Sequence, residues 1–290
     1  MKHVVTRITA GLLFCGILVM GFMGVQAQEA GQPPVVYALV DFMKVPDGKD
    51  DLYQNVERLW ERLHRVRCQE GIIKDWFLMK TQRQSGPPAD YNYATVHLYD
   101  CWDKIETINF NDAWAKVQDS FTDEDKSVME KTGEARDLVH TELWRLEDSA
   151  LPWKWAPDGT VKQVPRKYTL GFMKSKNGER HIELEKSFWK KIWIQSVEDG
   201  LQSNWLLWEC RFPGGSLRPY DWIAVHAHTD PDKGTNLSQD WFKAKQAKIF
   251  PDKNEKEIAT ILEETAAVRD IPIQEEWTVI RTTADPGKAE

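Results

Sequence analysis

The sequence lacks several features that mark common classes of protein. Its 290 residues include only 4 cysteines and 17 glycines, which excludes disulfide-scaffold and collagen-like proteins. No Walker loop, GxGxxG, GxSxG, HExxH or CxxC motif occurs, so phosphoryl transfer, dinucleotide redox chemistry and common hydrolase mechanisms have no support. An excess of positive charge is also missing, because the formal net charge is −7. A nucleic-acid partner is therefore disfavoured.

A long apolar run occurs only at the N-terminus. Lys2 and Arg7 precede an apolar stretch over about residues 8–24, and Val25-Gln26-Ala27 then presents small residues where a signal peptidase reads. We predict a cleaved signal peptide over residues 1–27, and hence a secreted or periplasmic protein that is not attached to a membrane. A retained membrane anchor is the alternative, because the run is at the short end of spanning length.

Tryptophan is the residue present in excess. The chain has 14 tryptophans, and its 41% hydrophobic and 29% charged residues are typical of a folded globular protein. Three cysteines follow the signal peptide, Cys68, Cys101 and Cys210, and an odd number cannot pair completely. The sequence leaves open whether two of them form a disulfide.

The two halves of the chain repeat each other. Phe42-Met43-Lys44 recurs 130 residues later as Phe172-Met173-Lys174, and Val96-His97 recurs 129 residues later as Val225-His226. Matches that keep one order with small drifts in offset indicate tandem duplication. The predicted divisions are a first half over residues 36–148, a linker over 149–165, a second half over 166–282 and a tail over 283–290.

Each half shows the same order of hydrophobic periodicities. In the first half an extended run, Val36–Lys44, precedes a helical stripe that ends at Gly71, and strands follow at Ile72–Thr81 and Tyr91–Tyr99. A polar, helix-rich stretch and a final strand over about residues 138–147 complete the half. This order of strand, helix, strand, strand, helix and strand is the split βαβ or ferredoxin-like unit.

A four-stranded sheet covered by helices on one face leaves its other face bare, and two such sheets can bury those faces against each other. The predicted fold class is therefore α+β, with two tandem ferredoxin-like βαββαβ units whose antiparallel sheets pack together as a pseudo-dimeric α/β barrel. Because one chain supplies both sheets, the protein is expected to be a monomer or a homodimer.

This organisation resembles the dimeric α/β-barrel superfamily, and the resemblance extends over residues 36–148 and 166–282. It implies a choice among cofactor-free monooxygenases, polyketide cyclases, haem-dependent peroxidases and haem-degrading enzymes, and a shared fold does not decide among them. We expect no cofactor. Haem held by one histidine is a variant that only the resemblance implies.

Strand alternation predicts where a pocket lies. In the strand that contains His97, the even-numbered residues are aliphatic and the odd-numbered residues are aromatic or polar. The matching strand of the second half carries His226 and His228 opposite an apolar face. We expect the aliphatic faces to pack under the helices, so that the histidines and Asp41 line an aromatic cavity between the two sheets.

The expected chemistry in that cavity is general acid–base catalysis, because the ordinary pKa of histidine is about 6.5. Either His226 or His97 would be the base. The alternative is that this repeated pair consists of core histidines that are hydrogen-bonded within the fold. The candidate residues are His97, His226, His228, Asp41 and Tyr99 for catalysis, and Tyr93, Trp222 and Trp208 for ligand contact.

A metal site is a weaker hypothesis. His226-Ala227-His228 places two imidazoles on one strand face about 7 Å apart, and with a carboxylate they could hold zinc or iron. The repeated motifs Glu142-x-Trp144 and Glu275-x-Trp277 are interpreted as structural, with the glutamates paired to Arg136 and Arg269.

The leading functional hypothesis is an exported enzyme that performs acid–base chemistry, monooxygenase-like or cyclase-like, on a small apolar or aromatic molecule. The first alternative is a non-catalytic protein that binds a small molecule or a carbohydrate through its tryptophans. The second alternative is a metal- or haem-dependent oxidoreductase. In each case the predicted partner is a small-molecule ligand.

Overall fold

The computed structural model describes residues 35–107, 110–151, 164–215, 218–230 and 238–284. The predicted signal peptide lies outside the described residues, as do most of the predicted linker and of the predicted tail. In the part of the chain that is described, no helix is long and apolar enough to cross a bilayer. Cys68, Cys101 and Cys210 form no disulfide there.

The described residues contain eight β-strands, and their order along the chain repeats between the two halves. The strands are β1 (Tyr37–Lys44), β2 (Asp75–Ser85), β3 (Tyr93–Tyr99), β4 (Asp137–Ser149), β5 (Lys167–Ser175), β6 (Asn204–Phe212), β7 (Trp222–His228) and β8 (Arg269–Thr282).

Helices fill the connections after β1, β3, β5 and β7. Capping boxes at Thr122 and Asn254 begin two of them, and Gly71 follows the end of the first helix with a φ of 69°. The helices are α1 (Asp50–Gln69), α2 (Asp103–Glu106), α3 (Asn111–Val117), α4 (Asp123–Glu130), α5 (Thr132–Ala135), α6 (Gly178–Leu184), α7 (Lys190–Glu198), α8 (Gln239–Ile249) and α9 (Glu255–Val268).

The eight strands close into one antiparallel barrel in the order β1-β3-β2-β8-β5-β7-β6-β4. The first half contributes the neighbours β4-β1-β3-β2, and the second half contributes β8-β5-β7-β6. Pairing of β2 with β8 and of β4 with β6 joins the two sheets. The predicted α+β class and the closure of two sheets into a barrel are confirmed.

A π-helical segment, Glu185–Trp189, joins α6 to α7 and changes the register between the halves. Before it, Glu57 of α1 corresponds to Glu185 at an offset of 128, and beyond it Trp76 corresponds to Trp205 at 129. A π-bulge inserts one residue into a helix, which accounts for the change. Residues of α1 beyond the bulge position therefore correspond to residues of α7 at an offset of 129.

The barrel lumen holds an apolar cluster to which all eight strands contribute. In β3, Ala94, Val96 and Leu98 face the lumen, and Phe172 and Trp208 reach it from the second half. The prediction that the aliphatic strand faces lie under the helices is therefore wrong. A closed barrel has an interior that only side chains can fill. The apolar face of each strand therefore points into the lumen, and the alternate residues lie beneath the helices.

Two buried glutamates bond across the two sheets inside the lumen. Tyr91 donates a hydrogen bond to Glu275 at 2.6 Å, and Tyr220 donates a short one to Glu142. Each glutamate also accepts a hydrogen bond, at 2.6 Å, from the indole of the tryptophan two residues further along its strand. Because each tyrosine and its glutamate belong to different halves, these bonds hold the sheets together.

The predicted pairing of the two lumenal glutamates with Arg136 and Arg269 is wrong. Arg136 lies 3.2 Å from Glu57, and Arg269 lies 3.0 Å from Glu185, beneath the helices. Each arginine precedes its expected glutamate by six positions. Since alternate residues of a regular strand share a face, an even spacing would place the arginine and the glutamate on the same face. A bulge in β4 and another in β8 insert one residue, and this reverses the face.

We expect Arg83→Met to lower the free energy of unfolding by about 3 kcal/mol. The Arg83 guanidinium lies 2.8 Å from the fully buried Glu275 carboxylate, which would be left without a cation. Urea denaturation at pH 7 measures the loss. Arg211→Met is the control, because Arg211 is 47% exposed where it pairs with Glu209. Its loss should be under about 0.5 kcal/mol, and an equally small loss for Arg83→Met would contradict the expectation.

Candidate functional site

Helix α1 turns ionisable side chains toward the sheet. Glu57, His64 and Arg67 follow one another at helical spacings of seven and three residues, which places them along one side of the helix. All three are buried, at 2%, 4% and 0% exposure. Burial of charged or polar groups is unfavourable unless they are paired. Each of these side chains therefore requires a polar partner in the surrounding structure.

The sheet presents a second polar surface to the same helix. Asp41 of β1 and Thr95 of β3 are register partners, and His97 follows Thr95 on the same face of β3. The Thr141 hydroxyl of β4 donates a hydrogen bond to Asp41 at 2.6 Å. Arg136, immediately before β4, adds a guanidinium beside Glu57. A polar layer thus lies between α1 and the sheet, where a helix–sheet interface is normally apolar.

A cavity of about 90 Å³ opens within this polar layer. Phe110 lies at its edge and is 36% exposed, whereas Trp76 is fully buried. The cavity is lined by Asp41, Met43, Glu57, Trp60, His64, Trp76, Thr95, His97, Phe110 and Arg136. A concave site with aromatic walls and a few convergent polar groups has the general form of a small-molecule site.

The two imidazoles of the cavity face each other. The ring centroids of His64 and His97 lie 4.8 Å apart at an angle of 71°, and His64 stacks on Trp76. Among the described residues, no side chain hydrogen-bonds either ring nitrogen of His97, and the only backbone group that acts on the ring is that of its register partner Leu39. Burial, reinforced by the Arg67 charge, lowers the pKa of His97 to about 3, and burial holds the pKa of His64 well below its usual range. Both rings are therefore neutral at pH 7.

The two acids of the cavity are displaced in the opposite direction. Burial raises the pKa of Glu57 to about 7, against the lowering effect of Arg136. Burial also raises the pKa of Asp41, against its hydrogen bond with Thr141. Groups with perturbed pKa values in a cleft are candidates for function. Glu57 can gain and lose a proton near neutral pH.

Arg67 lies at the inner side of the same layer. Its guanidinium is 3.3 Å from His64 Nδ1, donates to the Tyr99 hydroxyl at 3.3 Å, and stacks over the Phe110 ring at 4.4 Å. It forms no ion pair within the described residues, although its side chain is fully buried. All of its contacts are therefore with neutral groups.

The second half builds the same interface without this chemistry. Gly171 and Ala224 are register partners at the positions of Asp41 and Thr95. His226 Nδ1 lies 2.9 Å from Gln202 Oε1, and the ring packs against Trp193 at 4.4 Å. His226 is thus a hydrogen-bonded core residue. Of the repeated histidine pair, only His97 faces a polar cavity.

The remaining predicted residues are dispersed over the molecule. Tyr93 donates to Asp50 at 2.6 Å, and Trp222 packs at 6.3 Å from His181 under α6. His228 lies beside a separate cavity of about 140 Å³ near residues 200–203. Tyr93 therefore lies beneath the start of α1, whereas Asp41 and His97 line the cavity and Tyr99 contacts Arg67.

The prediction that the histidines and Asp41 line a cavity between the two sheets is wrong. The space between the sheets measures about 60 Å³ and is lined only by aliphatic and aromatic side chains, including Trp144, Trp208 and Trp277. Trp208, predicted to contact a ligand, is one of these lining side chains. Cavities that bind a molecule such as benzene measure about 150 Å³, so the lumen, at less than half that volume, is packed core.

The described residues provide no site that fits a metal ion or haem. In the part of the chain that the structure describes, no three His, Cys, Asp or Glu side chains are grouped as metal ligands, and His226 is bonded to Gln202. The cavities beside His97 and His228 are smaller than the roughly 300–1,000 Å³ that a large organic ligand occupies. A groove of about 710 Å³ between α7, α8 and α9 is large enough, but no histidine, cysteine, methionine or tyrosine lines it.

No protein-family model and no curated protein matches the chain. A solved structure of a proposed monooxygenase from Fusobacterium nucleatum is 14% identical, with a TM-score of 0.41 over 86% of this chain and 94% of that chain. A proposed monooxygenase from Lactobacillus acidophilus is 8% identical, with a TM-score of 0.42 over 87% and 97%. A haem-binding protein from Thermus thermophilus is 10% identical, with a TM-score of 0.39 over 86% and 95%. Likenesses this distant assign no activity.

The sequence interpretation missed four residues of the polar layer, Glu57, His64, Arg67 and Arg136. The signal was present in α1, since polar residues recur there at helical spacing beside the apolar stripe. An amphipathic pattern usually places such residues in water. Only the opposing polar face of β1 and β3 shows that this stripe is buried.

We expect acid to destabilise the protein partly through His97. The pKa of this ring is about 3 in the folded protein and about 6.5 when unfolded. Between these values the unfolded state binds the extra proton, so stability falls as pH decreases from 6.5 toward 3. His97→Gln should reduce this slope by up to about 1.4 kcal/mol per pH unit.

Urea denaturation at a series of pH values from 4.5 to 7.5 measures the slope. His226→Gln should reduce it in the same way, because burial also lowers the pKa of His226 to about 3. The double variant should lose both contributions, since the rings lie in different halves. A slope that His97→Gln leaves unchanged would contradict the assignment of a neutral ring.

Proposed function

We propose that the cavity beneath α1 is the active site of an enzyme that moves protons to and from a small molecule. The observation that carries the proposal is the buried polar layer itself, in which no side chain among the described residues hydrogen-bonds the His97 ring. Unpartnered polar groups in a core are unfavourable. A ligand that completes their hydrogen bonds gives this layer a physical reason to exist.

Glu57 is the proposed proton carrier. A general acid or base works best when its pKa lies near the working pH, and the pKa of Glu57 is raised to about 7. Arg136, 3.2 Å away, fixes the carboxylate and favours its ionised form. The residue can therefore accept a proton from the ligand and return it within one reaction cycle.

His97 and His64 are proposed to orient the ligand. The base role expected for His97 passes to Glu57 in this proposal, because a ring with a pKa of about 3 is a weak base. A neutral imidazole offers one N–H donor and one acceptor nitrogen. These can hold a hydroxyl or carbonyl group of the ligand while Glu57 transfers the proton.

The proposed ligand is small, planar and partly apolar. Trp60, Trp76 and Phe110 supply aromatic walls that can stack on a ring. At about 90 Å³ the cavity is smaller than an aromatic ring requires, so Phe110 at its edge is the side chain expected to move on binding. Proton abstraction from such a molecule is a step suited to both monooxygenase-like and cyclase-like chemistry.

A binding protein is the second candidate function, and one observation favours it. The groove between α7, α8 and α9 has a volume of about 710 Å³, within the range of ligand pockets. Trp189 and Trp193 on its wall are stacked, with ring centroids 5.8 Å apart. Such a surface is suited to a flat apolar ligand or a sugar ring.

Several further expectations belong to the proposal. Export through a signal peptide over residues 1–27 rests on the sequence pattern alone. Tandem duplication of a ferredoxin-like unit is supported by the repeated element order and by the matching ion pairs Glu57–Arg136 and Glu185–Arg269. The proposal also includes activity without a cofactor and a monomeric or homodimeric state. It keeps the chain divisions at residues 36–148, 149–165, 166–282 and 283–290.

We expect the protein to speed the exchange of solvent deuterium into the methyl group of small aryl ketones, because Glu57 can remove a proton next to a carbonyl group. Proton NMR in D2O with acetophenone and 4-acetylbenzoate measures the rate. Glu57→Gln should reduce the catalysed rate by at least about 100-fold, the usual contribution of a general base.

Glu185→Gln is the matched control. Glu185 is equally buried and lies 3.0 Å from Arg269, so its replacement also leaves an arginine beneath a helix without its carboxylate. This variant should retain the wild-type exchange rate. Equal losses in the two variants, or no acceleration by the wild-type protein, would refute the proposed role of Glu57.

A further inference from the structure

Arg67 is a buried cation that has no counter-ion in the part of the chain that the structure describes. Its side chain is 0% exposed, and within the described residues its contacts are with His64, Tyr99 and Phe110, none of which carries a negative charge. We infer that the ligand of the cavity beneath α1 is a small monoanion whose negative charge pairs with Arg67. This inference rests on the proposed location of the active site and adds the charge of its ligand.

The acids near Arg67 are already engaged elsewhere. Glu57 faces Arg136 at 3.2 Å, and Asp41 accepts the hydrogen bond of Thr141. Glu61, on the same helix, pairs with Arg65 at 2.6 Å and also with Arg281. Among the described residues there is therefore a carboxylate for the partly buried Arg136 and none for the fully buried Arg67.

The fold itself does not require an arginine at this position. Ser196 of α7 corresponds to Arg67, since the backbone carbonyls of the two residues accept equivalent hydrogen bonds, from Ile72 and Leu201, at the ends of their helices. Ser196 is just as buried, and Gln202 donates a hydrogen bond to its hydroxyl. The same interface is thus built in the second half with neutral, mutually bonded side chains.

The position of Arg67 connects it to the entrance of the cavity. Its guanidinium stacks on Phe110, the exposed residue at the edge, and approaches His64, which lines the interior. If Phe110 moves to admit a ligand, the guanidinium face that it covers becomes available. A planar guanidinium matches a carboxylate with two parallel hydrogen bonds. An aryl carboxylate would satisfy both Arg67 and the aromatic walls.

Calorimetric titration with pairs of probes that differ in charge tests the inference. Acetate and benzoate are the anionic probes, and acetamide and benzamide are their neutral counterparts of nearly equal shape. We expect each anion to bind at least tenfold more tightly than its amide at pH 7. Equal affinities for anion and amide would overturn the inference.

Substitutions at Arg67 test whether this side chain is the cation that binds the anionic probes. Arg67→Met should abolish the preference for anions, and Arg67→Lys should keep part of it, because the charge remains without the planar fork. Arg58→Met is the control, since it removes the same charge from the same helix where the side chain is 45% exposed. It should leave the preference unchanged. Persistence of the preference in Arg67→Met would overturn the assignment to Arg67.

Thermal unfolding without ligand separates binding from a structural role. An unpaired buried charge opposes folding, so Arg67→Met should have a Tm equal to or above that of the wild type. A large fall in Tm would show that Arg67 serves the fold and would count against the inference. The two proposals can fail separately. If anions and amides bind equally while the protein still catalyses deuterium exchange into acetophenone, the inference of an anionic ligand is wrong and the proposed function is retained.

Discussion

Closure of the barrel is the constraint from which the other features of this protein follow. Eight strands enclose a lumen that side chains alone can fill, so one face of every strand is committed to apolar packing. Alternation then places the other face outside, beneath the helices. In β3 this moves His97 and Thr95 out of the lumen and against α1. The location of the candidate site is therefore a consequence of how the core is filled.

The two halves use the same scaffold for different purposes. Glu57–Arg136 and Glu185–Arg269 form equivalent ion pairs beneath their helices, in which the glutamate is buried and the arginine is partly exposed. Near the second pair, His226 is hydrogen-bonded to Gln202, and Gln202 is hydrogen-bonded to Ser196. Around the first pair the side chains are ionisable and incompletely bonded. Such a layer reduces stability relative to an apolar interface, and functional sites are where proteins tolerate that loss.

The lumen shows how two sheets become one body. Tyr91 and Tyr220 each donate to a glutamate of the opposite half, and these glutamates also accept from neighbouring indoles. Fully bonded networks of this kind specify a unique arrangement of the core. They hold the barrel closed. A rigid barrel keeps β1 and β3 in register beneath α1, and this fixes the distance between Asp41 and His97 in the cavity.

The sequence by itself determined the order of the elements, the repeat and the two-faced character of each strand, because hydrophobic periodicity is a local property of the chain. It also placed Asp41 of β1 on the same side of the first sheet as Tyr93, His97 and Tyr99 of β3. The tertiary structure alone decided which face points inward, because that depends on closure by distant strands. It also brought His64 to within 4.8 Å of His97 and turned Arg136 toward Glu57 through a bulge. These contacts join residues far apart in the chain, and local patterns carry no information about which polar faces will meet.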